Sequence, residues 1–185
     1  LGNWILRTAL TDVQKLRKET EGFFVNVNVA AAQLERREFR SAVMNILKET
    51  GARPEELCLE LTERCRDLDI HFLRGEVEFF HSQGIKIALD DFGSGYSSEG
   101  TLLNMEVNIV KLDMGLVSGI DKNRDKQELA ANLIHYCKER NILVLAEGVE
   151  RIEEVHTMLL LGADLFQGYY FGRPELEIRP VNPYV

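Results

Sequence analysis

Short apolar segments alternate with longer amphipathic segments along most of this chain. The apolar segments predict strands at 23–29, 57–62, 85–89, 107–113, 142–146 and 163–167. Apolar residues at helical spacing predict a helix after most of these strands. A further helix precedes the first strand, with Ile5, Ala9, Val13 and Leu16 on its apolar side. Strict alternation of strand and helix indicates an α/β protein with a parallel sheet.

Each predicted strand carries a polar residue at or near its C-terminal end. These residues are Asn28, Glu60, Asp90, Lys111, Glu147 and Gln167. Successive members lie 20 to 36 residues apart, whereas an eightfold βα barrel of about 250 residues averages about 31 per unit. Barrel enzymes build their sites from the C-terminal ends of several strands. The pattern therefore predicts a TIM-like (β/α) barrel that is incomplete at its N-terminus, with about six of the eight βα units.

A doubly wound open sheet is the alternative architecture. Its phosphate-binding loop carries three glycines in the pattern Gly-x-Gly-x-x-Gly. In this chain Gly93-Ser94-Gly95 is followed by Tyr96-Ser97-Ser98, so the third glycine is absent. The barrel is therefore favoured over the open sheet.

Two adjacent acids, Asp90 and Asp91, follow the apolar segment 85–89 and precede the glycine-rich loop. Adjacent carboxylates repel each other, and in a cleft that excludes water they are tolerated chiefly when a cation neutralises them. Hard divalent ions that prefer oxygen ligands fit this pair. The alternative is a solvated turn in which Asp91 begins the next helix, and this stretch alone leaves both interpretations open.

Composition narrows the class of protein. The 185 residues suffice for one domain, and 45% of them are hydrophobic, which is ordinary for a globular protein. A net charge of −8 argues against a nucleic acid polymer as partner, although a small phosphate ligand held through metals remains open. The three scattered cysteines favour a reducing cytoplasm. No apolar run approaches a membrane span, so we expect no direct membrane contact.

The polar strand ends together supply the parts of a two-metal site. Asn28, Glu60 and Asp90 are oxygen donors on one rim, and Asp91 offers a bridge to a second ion. Two metals about 3.5–4 Å apart activate a water and stabilise the leaving oxygen of a phosphodiester. Lys111 would orient that water or neutralise phosphate charge, and Glu147 would accept its proton or complete a metal shell. Structural salt bridges and turns are the alternative at each position taken singly.

Six short motifs surround the polar strand ends and run in order through almost the whole chain. They are Val27-Asn28-Val29, Leu59-Glu60-Leu61-Thr62-Glu63, Asp90-Asp91-Phe92-Gly93-Ser94-Gly95-Tyr96-Ser97-Ser98, Val110-Lys111-Leu112-Asp113, Ala146-Glu147-Gly148-Val149-Glu150 and Gln167-Gly168-Tyr169 with Arg173-Pro174. Together these motifs resemble those of the EAL-domain cyclic di-GMP phosphodiesterases of bacteria.

The resemblance implies a signalling enzyme that hydrolyses cyclic di-GMP to linear pGpG with Mg²⁺ or Mn²⁺. The implied metal ligands are Asn28, Glu60, Asp90 and Asp91. The implied catalytic residues are Lys111, Glu147 and Glu63, of which Glu63 would anchor the glycine-rich loop. Gln167 and Arg173 would contact substrate. The implied partners are a second copy of the chain and attached sensory or GGDEF-type domains, in a parent protein that a membrane anchor could hold.

The resemblance also implies a missing part. The family's Glu-Ala-Leu segment would lie upstream of Leu1, so residues 1–174 are expected to form a truncated EAL-type domain and 175–185 an irregular tail. Ala30, Glu99 and Glu106 depart from the family pattern outside the implied ligand set. An incomplete metal shell is poorly preorganised, and we therefore expect weak or no turnover from these residues alone. A catalytically lapsed receptor or a regulatory dimerisation module is the alternative function.

Overall fold

The computed structural model describes residues 2–16, 23–62, 65, 68–93 and 105–175. These residues form two compact units, one built from residues 2–90 with 105–109 and the other from residues 91–93 with 110–175. Within each unit, neighbouring strands are hydrogen-bonded in the order in which they occur in the chain. The fold is therefore of the α/β class that the strand–helix alternation predicts.

The first unit begins with a helix and then alternates strands with helices. Its elements are α1 (Gly2–Leu16), β1 (Val25–Val29), α2 (Ala31–Leu34), α3 (Phe39–Thr50), a 3₁₀ turn (Pro54–Glu56), β2 (Leu57–Leu61), α4 (Ile70–Ser82) and most of β3 (Lys86–Phe92). β1 pairs with β2 and β2 with β3, both in parallel. All five residues of β2 are buried, as expected for a parallel strand covered on both faces.

The second unit repeats the same alternation. Its elements are the end of β3, β4 (Ile109–Leu112), α5 (Met114–Val117), a 3₁₀ turn (Ile120–Lys122), α6 (Arg124–Lys138), β5 (Leu143–Ala146), α7 (Ile152–Leu161) and β6 (Leu165–Phe166). β5 and β6 pair in parallel, with Leu145 opposite Leu165.

Side-chain caps and left-handed glycines set the helix ends. Asp69 caps α4 by accepting hydrogen bonds from the backbone N–H groups of His71 and Phe72, which otherwise lack helical partners. Asn123 caps α6 in the same way. Gly51 ends α3 at φ +70°, a conformation that costs glycine little.

The helix faces differ in part from the predicted ones. In α1 the buried residues are Leu6, Leu10 and Val13, while Ile5 is 44% exposed. α1 packs on α3 and β1, and this packing selects one of two overlapping apolar stripes. Leu129 of α6 and Leu159 of α7 are apolar residues that lie exposed. Apolar periodicity located these helices correctly but did not fix their rotation.

None of the helices in the described ranges combines the length and the apolar character needed to cross a bilayer.

Candidate active site

Three of the predicted oxygen ligands lie at the C-terminal ends of the strands of the first unit. Asn28 of β1 is the register partner of Glu60 on β2, and Glu60 is in turn opposite Ala88 on β3. Asp90 lies two residues after Ala88, and alternate residues of a strand share a face, so Asp90 lies on the same face of β3 as Ala88. Glu60 is 4% exposed. A buried carboxylate beside an amide oxygen is a donor set that suits a hard divalent cation.

Asp91 has a backbone conformation that strand alternation does not predict. A regular strand would send Asp91 to the face opposite that of Asp90. Asp91 instead has φ +53°, in the left-handed region that aspartate tolerates better than most residues. In the second unit its carboxylate comes within 4.8 Å of that of Glu147. Two carboxylates this close repel each other unless a cation neutralises them, so the pair is a candidate for part of a cation site.

Lys111, which is buried, and Glu147, which is half-buried, form an ion pair in the second unit. Lys111 Nζ lies 2.6 Å from Glu147 Oε1, and the two side chains are 5% and 17% exposed. The backbone N–H of Glu147 donates to the carbonyl oxygen of Leu112, which holds the end of β5 against β4. The pair places a cation and an acid where water access is restricted, and an acid–base role requires that arrangement.

The segment after Glu147 is fixed by close contacts on two sides. Gly148 has φ +64°, and a Cβ there would lie 2.3 Å from Met114 Cγ. The N–H of Val149 donates to the carbonyl of Gln167, and its own carbonyl accepts from Tyr170. A Cβ on Gly168 would lie 2.1 Å from the carbonyl oxygen of Val149. Glycine is therefore required at 168 because of this backbone approach.

The remaining predicted site residues have different surroundings. Gln167 is exposed at the end of β6 and contacts the segment after Glu147 through its backbone carbonyl. Arg173 is exposed and its guanidinium stacks on Tyr169, 4.9 Å from the ring centroid. Glu63 lies outside the described residues, as does most of the glycine-rich loop. The substrate-contact roles of Gln167 and Arg173 remain predictions.

The four histidines take no part in these clusters. All four lie on helices and are exposed; they are His71, His81, His135 and His156. They are therefore surface residues.

Sequence reasoning missed Glu154, a buried carboxylate in the first turn of α7. Glu154 is 3% exposed and accepts hydrogen bonds from backbone N–H groups of two different loops. The usual signature of such a capping glutamate is a serine or threonine three residues earlier. Arg151 occupies that position here, so the pattern gave no signal.

The fold and these clusters define a class of protein: a parallel α/β domain with oxygen ligands, paired acids and a buried lysine at the C-terminal ends of its strands. The EAL domain family model matches residues 1–174, and the chain belongs to this family. The prediction of the family from the motifs is thereby confirmed.

Individual relatives agree with the family assignment. The chain is 30% identical over 174 residues to the cyclic di-GMP phosphodiesterase PdeR of Escherichia coli, and this match covers 94% of the chain but 26% of PdeR. The EAL domain of DcpA from Mycobacterium smegmatis superposes with a TM-score of 0.87 at 31% identity, covering 94% of this chain and 79% of that structure. BlrP1 of Klebsiella pneumoniae, solved with manganese and cyclic di-GMP, gives a TM-score of 0.83 at 29% identity, with 91% and 43% covered. These superpositions confirm the predicted TIM-like fold.

Proposed function

We propose that this chain hydrolyses cyclic di-GMP to linear pGpG with Mg²⁺ or Mn²⁺. The observation that carries the proposal is the Lys111–Glu147 ion pair with the Asp91 carboxylate within 4.8 Å of that of Glu147. Membership of the EAL family, with relatives named as cyclic di-GMP phosphodiesterases, supports this substrate. The manganese and cyclic di-GMP in BlrP1 support a divalent cofactor.

The donor chemistry of the chain fits hard divalent cations. Asn28, Glu60 and Asp90 would hold one ion through an amide oxygen and two carboxylates, and Asp91 would serve a second. Bound ions of this kind lower the pKa of a ligated water and neutralise the charge that develops on phosphate.

The chain's own residues would then handle the proton and the phosphate. In hydrolysis to pGpG, the water oxygen bonds to phosphorus, the bond from phosphorus to the 3′ oxygen breaks, and the released 3′ oxygen takes up a proton from solvent. Glu147 would take the water's proton or complete a metal shell. Lys111 would orient the water while its positive charge offsets the developing negative charge. Gln167 and Arg173 would contact the dinucleotide, and Glu63 would anchor the loop after Asp91.

The setting of the reaction is also part of the proposal. We place it in the bacterial cytoplasm, and the three buried cysteines, scattered along the chain with no Cys-x-x-Cys pair, support a reducing compartment. A homodimer attached to sensory or GGDEF-type domains is proposed as the working form. The fact that the chain spans only 26% of PdeR supports the presence of additional domains in such proteins. The division into an EAL domain at 1–174 and a tail at 175–185 remains a prediction.

The test is to incubate the full-length native protein that contains this chain with cyclic di-GMP and Mn²⁺, and to follow pGpG by chromatography. We expect product that disappears when a chelator is added. Tight binding without product would replace the enzyme with a receptor whose catalysis has lapsed. If the protein neither binds cyclic di-GMP nor releases product, the proposal is overturned and a regulatory or dimerisation module is left as the function.

A further inference from the structure

Glu154 is surrounded by hydrogen-bond donors. Its carboxylate accepts from the backbone N–H groups of Gly119 at 2.9 Å, Glu150 at 3.0 Å and Arg151 at 3.1 Å, and from Arg151 Nη2 at 3.0 Å. Hydrogen bonds to a charged acceptor are stronger than neutral ones, and this carboxylate is almost fully buried. The arrangement is much more extensive than an ordinary helix cap requires.

The donors come from two loops of the second unit. Gly119 belongs to the connection after β4, the strand that carries Lys111. Glu150 and Arg151 close the connection after β5, which begins at Glu147. One side chain therefore ties together the loops that follow the two residues of the Lys111–Glu147 ion pair.

The loop from Glu147 to Arg151 has little freedom while these bonds are intact. The N–H groups of Glu147 and Val149 donate to the carbonyls of Leu112 and Gln167. Those of Glu150 and Arg151 both donate to Glu154 Oε2. Loss of the Glu154 carboxylate would therefore release the C-terminal half of the loop and leave Glu147 restrained from the sheet side alone.

Arg151 and Asp121 reinforce the same connection. Arg151 pairs with Asp121 of the 3₁₀ turn that follows Gly119, as well as with Glu154. Burial alone would raise the pKa of Glu154, but hydrogen bonds from Gly119, Glu150 and Arg151 hold that pKa below its usual value. The Arg151 hydrogen bond likewise lowers the pKa of Asp121. Both acids are thus ionised at neutral pH and remain good acceptors.

We propose that Glu154 is a positioning residue, which holds the loop after β5 so that Glu147 meets Lys111 in the geometry needed for hydrolysis. The inference rests on the proposed phosphodiesterase function. Glu154 acts through the backbone of Glu150 and Arg151 and contacts no reacting atom. Small displacements of a catalytic group cost up to about 100-fold in rate, so the position of this loop matters for turnover.

The test compares Glu154→Gln with Glu153→Gln in the full-length native protein. Glu153 is the neighbouring acid in the same helix turn and loses the same charge on substitution; it is exposed, contacts Arg151 Nη1 at 3.5 Å and accepts no hydrogen bond from the loop backbone among those that hold Glu154. We expect Glu154→Gln to lower kcat by about 10-fold or more, with KM within about twofold, once rates are corrected for the folded fraction. We expect Glu153→Gln to match the wild type. Amide hydrogen exchange at Glu150 and Arg151 should be at least about 10-fold faster in Glu154→Gln alone.

The outcomes separate this inference from the proposed function. The inference is overturned if Glu154→Gln has the kcat of the wild type, or if amide exchange at Glu150 and Arg151 is unchanged. In either case an active wild type still supports the proposed function. An inactive wild type would overturn the proposed function and the positioning role together. If Glu154→Gln does not fold, Asp121→Asn decides, because it removes the outer partner of Arg151. A kcat in Asp121→Asn equal to that of the wild type would overturn the inference.

Discussion

Lys111 Nζ lies 2.6 Å from Glu147 Oε1, and both side chains are largely withdrawn from solvent. Lys111 is on β4 and Glu147 directly follows β5, so the pair forms only when these two elements come together. Removing one partner of a buried pair leaves an uncompensated charge, which costs about 3–5 kcal/mol. The pair is therefore sensitive to single substitutions.

Lys111→Ala should reduce turnover of cyclic di-GMP far more than affinity for it. The substitution removes the cation that would orient the water, and positioned acid–base groups contribute about 10²–10⁴-fold to rate. We expect kcat to fall by at least about 100-fold and the dissociation constant to change by less than about threefold. Rate assays on folded protein give kcat, and calorimetric titration with cyclic di-GMP gives the dissociation constant.

Lys122→Ala is the matched control for Lys111→Ala, since Lys122 is exposed on the 3₁₀ turn of the same connection. It should leave kcat unchanged. Weakened binding in Lys111→Ala with normal kcat would instead make Lys111 a phosphate clamp.

Glu60→Gln and Asp90→Asn should abolish turnover and weaken binding of Mn²⁺. Each variant preserves side-chain shape while replacing a charged oxygen donor with a weaker one. We expect kcat to drop by about 10³-fold or more. The rise in Tm that Mn²⁺ gives the wild type should disappear, because a ligand stabilises only the state that binds it.

The exposed acid Glu78, paired with Arg74 on the surface of α4, supplies the control. Glu78→Gln should keep both the Mn²⁺ response and turnover. Unchanged turnover in both Glu60→Gln and Asp90→Asn would refute the ligand assignment.

Gly168→Ala should destabilise the fold by more than about 3 kcal/mol, or displace the segment around Val149. The new Cβ would lie 2.1 Å from Val149 O and 2.3 Å from Val149 N, and backbone cannot yield as a flexible side chain does. Gly172→Ala is the matched control, because a Cβ there meets nothing within 4 Å. Urea unfolding of the two variants tests this, and equal free energies of unfolding would contradict the close approach.

The contribution of Glu154 to stability should be lost in acid. Its pKa in the folded state is lowered, whereas an unfolded glutamate has a pKa of about 4.3. A lowered folded pKa means that the stabilisation is fully present above about pH 4.3 and declines as pH falls through the folded pKa. The difference in unfolding free energy between wild type and Glu154→Gln should therefore be constant from pH 7 to 5 and shrink at lower pH.

Denaturant titrations of both proteins at a series of pH values measure that difference. If the difference in unfolding free energy between the two proteins instead grows on acidification, the folded pKa of Glu154 is raised. Glu153→Gln, on the exposed side of the same turn, should show no comparable change with pH.

Much of the fold could be read from local patterns. Apolar runs located each strand found in the described residues, although the strand bounds shifted by one to three residues, as for β3, predicted at 85–89 and found at Lys86–Phe92. The polar strand ends also identified Asn28 and Glu60, which the register of β1 and β2 places opposite each other. Parallel pairing brings the C-terminal ends of neighbouring strands together, so the position of a residue along its strand was sufficient to predict that it lies at the same edge of the sheet as the other strand ends.

Other features depend on contacts that no local pattern records. The rotation of α1 depends on packing against α3, which is why Ile5 is exposed and Leu6 is buried. The left-handed backbone at Asp91 overrides strand alternation and directs its carboxylate toward Glu147. Residue 168 must be glycine because the backbone of Val149 approaches it, and this approach depends on how β6 follows the connection after β5.

The sequence by itself determined the alternation of strands and helices and the chemical types available at the strand ends. Both depend on residues a few positions apart, whose spacing is fixed by backbone geometry. Only the tertiary structure decided that Lys111 meets Glu147 and that Glu154 joins the two loops beside them. Lys111 and Glu147 are 36 residues apart and Gly119 and Glu154 are 35 apart, and each of these pairs meets only because the intervening helices return the chain to the same end of the sheet.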